Sequence, residues 1–156
     1  MMNISFRGAV WEDAEFLMSL RNDPSVWPQC IQARTVGRKE HWEWFKGVLQ
    51  REDVKVFILL QDRISIGQVR YDFKQEGVYV SISLGADYRG QGFGIQALKL
   101  TGQKIFSLPN VTALKALIKE DNKGSLRCFE NAGFCRVDRK KNGDEHFITM
   151  EFHKAS

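Results

Sequence analysis

Hydrophobic and polar positions change period several times along the chain, and each change marks an element. Ile4-Ser5-Phe6-Arg7 alternates and predicts a short first strand. From Trp11 to Arg21 the apolar residues Ala14, Leu17 and Met18 recur at helical spacing, and Asn22-Asp23-Pro24 stops the helix. Pro24 to Gly37 has no period; it carries two prolines and Trp27. Loops of that length in a compact domain are often functional. Arg38 to Gln50 predicts a second helix, with Trp42, Phe45 and Leu49 on one side.

The period then switches from helical to strand-like. Val54 to Leu60 and Ile64 to Phe73 predict two strands joined by Gln61-Asp62-Arg63, and Gln75-Glu76-Gly77 turns into a third, Val78 to Leu84. This third run puts Val78, Val80, Ile82 and Leu84 on one face and Tyr79, Ser81 and Ser83 on the other. The short turns make the three an antiparallel meander. A helix from about Phe93 to Phe106 follows, with Gly94, Ala97, Leu98, Thr101 and Ile105 on one face. Pro109-Asn110 ends it, Val111 to Ile118 predicts a strand, and Asn122-Lys123-Gly124-Ser125 opens a helix that stops at Gly133. Phe134 to Asp138 and His146 to Phe152 predict a final hairpin, with Arg139-Lys140-Lys141 at its solvated tip. The expectation is one α/β domain over residues 1–156.

Composition narrows the function classes only a little. The chain has 156 residues, 43% hydrophobic and 27% charged, with a net charge of +4. No apolar run approaches the roughly 18 residues that span a membrane, and the first residues contain no secretory apolar core. Cys30, Cys128 and Cys135 are an odd count without metal-ligand spacing, so a reducing, cytoplasmic setting and no metal are expected. The basic residues are dispersed and carry no nucleic-acid motif.

The chemistry concentrates in Tyr88-Arg89-Gly90-Gln91-Gly92-Phe93-Gly94, three glycines and an arginine between a strand and a helix. Such a loop aims backbone N–H groups at a diphosphate, helped by the positive helix start. A P-loop is excluded because no Gly-Lys-Ser/Thr follows. A dinucleotide fold fits poorly, because the preceding strand ends an antiparallel meander instead of opening a βαβ unit.

The order of elements, with Arg89, Gly92 and Gly94 as a pyrophosphate motif and Asn122 with Gly133-Phe134 as a second signature, resembles the GNAT N-acetyltransferase superfamily over essentially the whole chain. The resemblance implies a mixed, mostly antiparallel sheet with helices on both faces, and acetyl-CoA as cofactor. It implies cofactor contacts from Ser83, Leu84 and Gly85, from Arg89, Gly90, Gln91, Gly92, Phe93 and Gly94, and from Asn122 and Ser125. Gly85 is expected at a bulge, and the Leu84 N–H is expected to polarise the acetyl carbonyl. Many members place a tyrosine acid four residues before the Gly-Phe glycine; here that position is Phe129. Tyr79 and Ser81, holding a water, and His41 are the candidate catalytic groups. Glu40 and Asp72 are further candidate bases.

Arg21-Asn22-Asp23-Pro24, Glu40 to Phe45, Gly67 to Asp72 and Val80 to Leu84 are similar to a subgroup that acetylates nucleotide-linked amino sugars in bacterial surface-sugar (pseudaminic-acid type) biosynthesis. Trp27, Trp42 and Trp44 would then stack on sugar or base, and Arg34, Arg38 or Arg70 would meet the diphosphate. The alternatives are a ribosomal-protein type N-terminal acetyltransferase and a catalytically silent coenzyme A sensor. The expected partner is a small-molecule amine, with no nucleic acid or membrane, and the chain a monomer or homodimer.

Overall fold

The computed structural model describes residues 3–155. Seven strands, β1 (Ser5–Gly8), β2 (Val54–Gln61), β3 (Ile64–Lys74), β4 (Gly77–Leu84), β5 (Ala113–Lys119), β6 (Cys135–Asn142) and β7 (Glu145–His153), form one sheet in the order β1-β2-β3-β4-β5-β7-β6. Every neighbouring pair is antiparallel except β4 and β5. The helices are α1 (Ala14–Asn22), α2 (Arg38–Gln50), α3 (Phe93–Phe106) and α4 (Lys123–Asn131).

Alternation along β2 divides the core in two. Val54, Val56 and Ile58 pack against Ala14 and Leu17 of α1 and Phe45 and Val48 of α2. Phe57 and Leu59 face the other side, where Phe93, Ala97, Leu98 and Ile105 of α3 and Leu126 and Phe129 of α4 cover the sheet. Helices therefore lie on both faces of a mixed sheet, as expected. The small positions Gly94, Ala97 and Thr101 on α3 are all buried and let that helix sit low on the strands.

Three expectations need correction. The buried side of α2 is His41, Phe45 and Val48, while Leu49 is exposed; the spacing admitted either face, and contact with β2 chose. Arg139-Lys140-Lys141 belongs to β6 instead of a tip, and the turn is Gly143-Asp144; β6 is the edge strand and every residue of it is exposed, so charged residues are tolerated along it. Gly85 is not bulged: the β3–β4 register runs unbroken from Lys74↔Gly77 to Gly67↔Leu84, and the Gly85 N–H continues it by donating to the Ile66 carbonyl at 2.8 Å. The bulge lies instead between Leu59 and Leu60.

Opposite that bulge sits Gly67, where an added Cβ would lie 2.4 Å from the Ser83 carbonyl oxygen. Backbone cannot yield that much without moving β4. Gly67→Ala is therefore expected to lower stability by about 1–3 kcal/mol, read as a lower urea midpoint with unchanged m-value.

Candidate active site

The site begins where two strands part. β4 and β5 share only the pairs Val78↔Leu114 and Tyr79↔Lys115. Beyond them, Val80 to Leu84 and Leu117 to Lys119 become facing walls of a cleft of about 1080 Å³. Hydrogen-bonded residues alternate along an antiparallel ladder. Because Gly85 bonds to β3, the N–H and C=O of Leu84 and Ile82 point away from β3, into the split. The Leu84 carbonyl is capped by Arg89, whose Nε and Nη2 donate to it at 3.1 and 2.8 Å. The Leu84 N–H is thereby aimed at whatever enters the split.

The glycine loop closes one end. Gly90 and Gly92 take φ of 71° and 86°, a left-handed backbone that favours glycine, and open space lies beside both. Gly92 caps α3, whose first N–H groups have no partner within the helix. A Cβ on Gly94 would lie 2.8 Å from Cys128 Sγ, so α3 and α4 approach here as closely as glycine allows. Asn122 caps α4, its Oδ1 accepting from the Ser125 N–H at 3.2 Å. Two helix N-termini thus face one cleft, a donor set suited to a diphosphate.

The other end is built by α1, α2 and the 24–37 loop. The Asn22 amide holds both backbone groups of Val36, at 2.7 and 2.8 Å, and Arg21 donates to the Arg34 and Gln32 carbonyls at 2.7 and 3.0 Å. Across the cleft, the buried Lys119 Nζ at the end of β5 donates to the Pro28 carbonyl at 2.6 Å and pairs with Glu145 at 2.9 Å. Lys119 ties the two walls together.

Charge in this cleft is one-sided. Its described lining carries Arg21, Arg34, Arg70, Arg89, Lys119 and Arg127 against a single carboxylate, Glu40. Arg34 grips that carboxylate with both guanidinium nitrogens and holds its carboxyl below the usual range.

The GNAT acetyltransferase domain model matches residues 3–135. The chain is 32% identical over 111 residues to an uncharacterized N-acetyltransferase, YfmK, of Bacillus subtilis (strain 168), covering 69% of this chain and 72% of that one. The chain belongs to the GNAT acetyltransferase family. In fold, this GNAT acetyltransferase is similar to the aminoglycoside acetyltransferase AAC(6')-Ib solved with coenzyme A (TM-score 0.85, 19% identity, covering 97% of this chain and 95% of that one). It is similar also to the spermidine N-acetyltransferase of Vibrio cholerae solved with CoA and spermine (TM-score 0.85, 15% identity, covering 96% and 95%).

Of the residues expected at the acetyltransferase site, Ser81, Ser83, Leu84, Arg89, Gly90, Gly92, Gly94, Asn122, Ser125 and His41 line this one cleft. Gln91 and Phe93 build the loop from behind: Gln91 Nε2 donates to the Asp87 carbonyl at 2.8 Å, and Phe93 is buried beside Tyr88. Gly85 abuts the Tyr88 ring. Tyr79 lies outside the lining. It sits where β4 still pairs with β5, and the Lys74 ammonium is 5.1 Å from its ring. Of the two residues expected to hold a water together, Ser81 lines the cleft and Tyr79 does not. Of the tryptophans only Trp44 lines the cleft, with the Arg70 guanidinium 5.9 Å from its ring. Trp42 packs on Trp11 under Arg38, which pairs with Glu15. Asp72 pairs with Arg70 at 3.0 Å.

Phe129 is buried and meets Phe134 edge-on, with centroids 5.0 Å apart. His41 is buried among Trp42, Trp44 and Phe45, and its Nε2 lies 3.1 Å from the Ala14 carbonyl. Only a protonated Nε2 can bond there, so Nδ1 carries the lone pair of the neutral ring. Burial pushes the His41 pKa down.

Gln68, Lys119, Arg127 and Cys128 also line the cleft and were given no role from the sequence. A signal existed for Gln68: it alternates with Val69 exactly as the serines of β4 alternate with Val80 and Ile82, but only the register sets it beside Ser83.

Because the folded-state pKa of His41 lies below its unfolded value, the unfolded chain binds more protons as pH falls through about 6.5. Stability is retained above that pH and declines below it, toward the depressed folded pKa. His41→Gln is expected to flatten this acid-side decline in a series of urea titrations from pH 7.5 to 5.

Proposed function

We propose that this acetyltransferase moves an acetyl group from acetyl-CoA to a primary amine on an anionic small molecule, and that a nucleotide-linked amino sugar is the class that fits best. The observation that carries the acceptor class is the charge at the α1–α2 end of the cleft, where Arg21, Arg34 and Arg70 face one lining carboxylate, Glu40, already held by Arg34. Aminoglycosides and spermine, the ligands of the two fold neighbours, are polycations and would meet repulsion here. A diphosphate would meet Arg70 beside Trp44, and that ring offers a stacking face for a sugar or base.

The residues fit coenzyme A. Gly90, Gly92 and the start of α3 offer backbone N–H groups with open space for a pyrophosphate, and the split offers the Leu84 and Ile82 edge to an amide-bearing arm. Acetyl-CoA supplies an activated thioester when bound. The Leu84 N–H would be placed to stabilise charge on the acetyl oxygen, its residue held in line by Arg89 at the carbonyl end. Asn122 contributes its Nδ2, its oxygen being engaged in the cap. The acceptor amine enters from the α1–α2 side, where Ser81 and the His41 Nδ1 draw off its proton through water. Phe129 is buried and has no proton to give, so the acid for a departing thiolate would have to come from water in the open cleft.

Release of thiol is the direct assay. Purified protein with acetyl-CoA is expected to turn over a UDP-linked amino sugar, and to leave spermidine and kanamycin at background. Turnover of a short peptide instead, detected by mass, would support the N-terminal acetyltransferase reading and overturn the sugar. Separately, Gly92→Val forces a β-branched residue into a left-handed backbone at the cradle. Calorimetry is expected to show coenzyme A affinity at least about tenfold weaker, with the far-UV spectrum retained.

A further inference from the structure

Both ends of the cleft are tied to one residue. Lys119 closes β5 and is buried, 8% exposed. An ammonium taken out of water must be bonded and paired, so lysine is rarely buried without a structural or chemical use. Here Nζ donates to the Pro28 carbonyl at 2.6 Å, across 91 positions of sequence, and pairs with Glu145 at 2.9 Å.

The 24–37 loop depends on that contact. Its second half is held from α1: Arg21 donates to the Gln32 and Arg34 carbonyls, and the Asn22 amide takes both backbone groups of Val36. Its first half is bonded mainly to itself. The Val26 and Trp27 N–H groups donate back to the Asp23 carbonyl, Gln29 donates to Val26, and Cys30 to Trp27. Val26 is buried, but Ile31 is exposed. Local bonds of this kind keep the turn in shape without fixing its place over the sheet, and Lys119 supplies the place. Gln29, Cys30, Ile31 and Gln32 then line the cleft. The backbone of Lys119 serves the opposite end. Its carbonyl accepts from the Asn122 N–H at 2.9 Å, and Asn122 caps α4.

We propose that Lys119 is a positioning residue for acetyl transfer: by holding Pro28 it sets the wall formed by residues 29–32 at the distance from the β4–β5 split that an acceptor amine must span. The inference rests on the reading of the α1–α2 end as the acceptor site, whatever carries the amine. Nζ is engaged by Pro28 and Glu145, so Lys119 acts through the loop and not on the reacting atoms. A lysine suits the task, because its compact head carries several donors and can serve a carbonyl and a carboxylate together. The effect on rate comes from alignment: reactants held in line react far faster than loosely held ones, and a displacement of about 1 Å costs on the order of a hundredfold.

The test compares wild type, Lys119→Met and Lys119→Arg. Methionine keeps most of the stem without donor or charge, and arginine keeps both. Amide exchange read by mass spectrometry reports on the loop with no substrate present. Lys119→Met is expected to exchange residues 29–32 about tenfold faster or more, the loss of one charge-assisted hydrogen bond, with α3 and β3 unchanged. Turnover is then measured on a UDP-linked amino sugar, kanamycin, spermidine and a short peptide, and the amine that wild type turns over fastest is the probe. Lys119→Met is expected to lower kcat/KM for that amine about 10- to 100-fold, and to leave the calorimetric Kd for coenzyme A within about twofold, since the Lys119 carbonyl stays in place. Lys119→Arg is expected to fall between the other two in both readouts. Faster exchange across the whole sheet, with coenzyme A weakened as much as the amine, marks a merely structural role and overturns the proposal. Unchanged exchange at 29–32 in Lys119→Met, or a loosened loop with unchanged kcat/KM for the amine, also overturns it and leaves the sugar reading standing. Turnover of peptide, kanamycin or spermidine with the same Lys119 dependence overturns the sugar reading and supports this one. No turnover of any amine by wild type overturns both.

Discussion

The structure turns on a parting of strands. β4 and β5 run parallel and bond at two residue pairs, then separate. Backbone N–H and C=O groups that a continuous sheet would satisfy are left facing a gap. Such groups are a liability in a core and a resource in a site. Arg89 answers one of them at the Leu84 carbonyl, and the remaining N–H groups become a fixed row of donors. The glycine loop can cradle a ligand because it begins where this row ends. The acceptor side is usable because the split opens toward α1 and α2.

The rest of the fold keeps that gap open and shaped. β3 holds β4 on one side through an unbroken register, and Gly67 permits the close approach. β7 holds β5 on the other through pairs from Ala113↔His153 to Lys119↔Phe147. With each wall anchored to its own neighbour, neither strand relaxes across the gap. Lys119 then bridges to Pro28 and sets where the 24–37 loop lies over the opening. Its ammonium also joins Glu145, so the contact is charge-assisted on both sides.

The charge of the cleft is one-sided. Carboxylates that would collect an ammonium are absent among its described lining, apart from one already paired. Histidine at the site is buried and held neutral. Phe129, where a tyrosine was looked for, packs on Phe134 as a core residue.

Much of this was legible from residue order. Helices α2 and α3 end where the periodicity predicts, the meander follows from turns two or three residues long, and the glycine loop and Asn122 open the two helices that face the cleft. These signals are local: a turn, a cap and a hydrophobic period are each set by residues a few positions apart. Pairing across distance was not legible. Tyr79 and Ser81 look equivalent on a strand, yet Tyr79 falls where β5 is still bonded and Ser81 where it has left. Gly85 reads as a bulge until the register shows the ladder running through it. Gln68 is an ordinary polar strand residue until β4 places Ser83 beside it and α2 closes the other side. By itself the sequence determined the elements, their order and the glycine-rich loop that opens α3, because each depends on near neighbours. The tertiary structure decided which polar residues share the cleft and with what charge, because that depends on where two strands stop pairing.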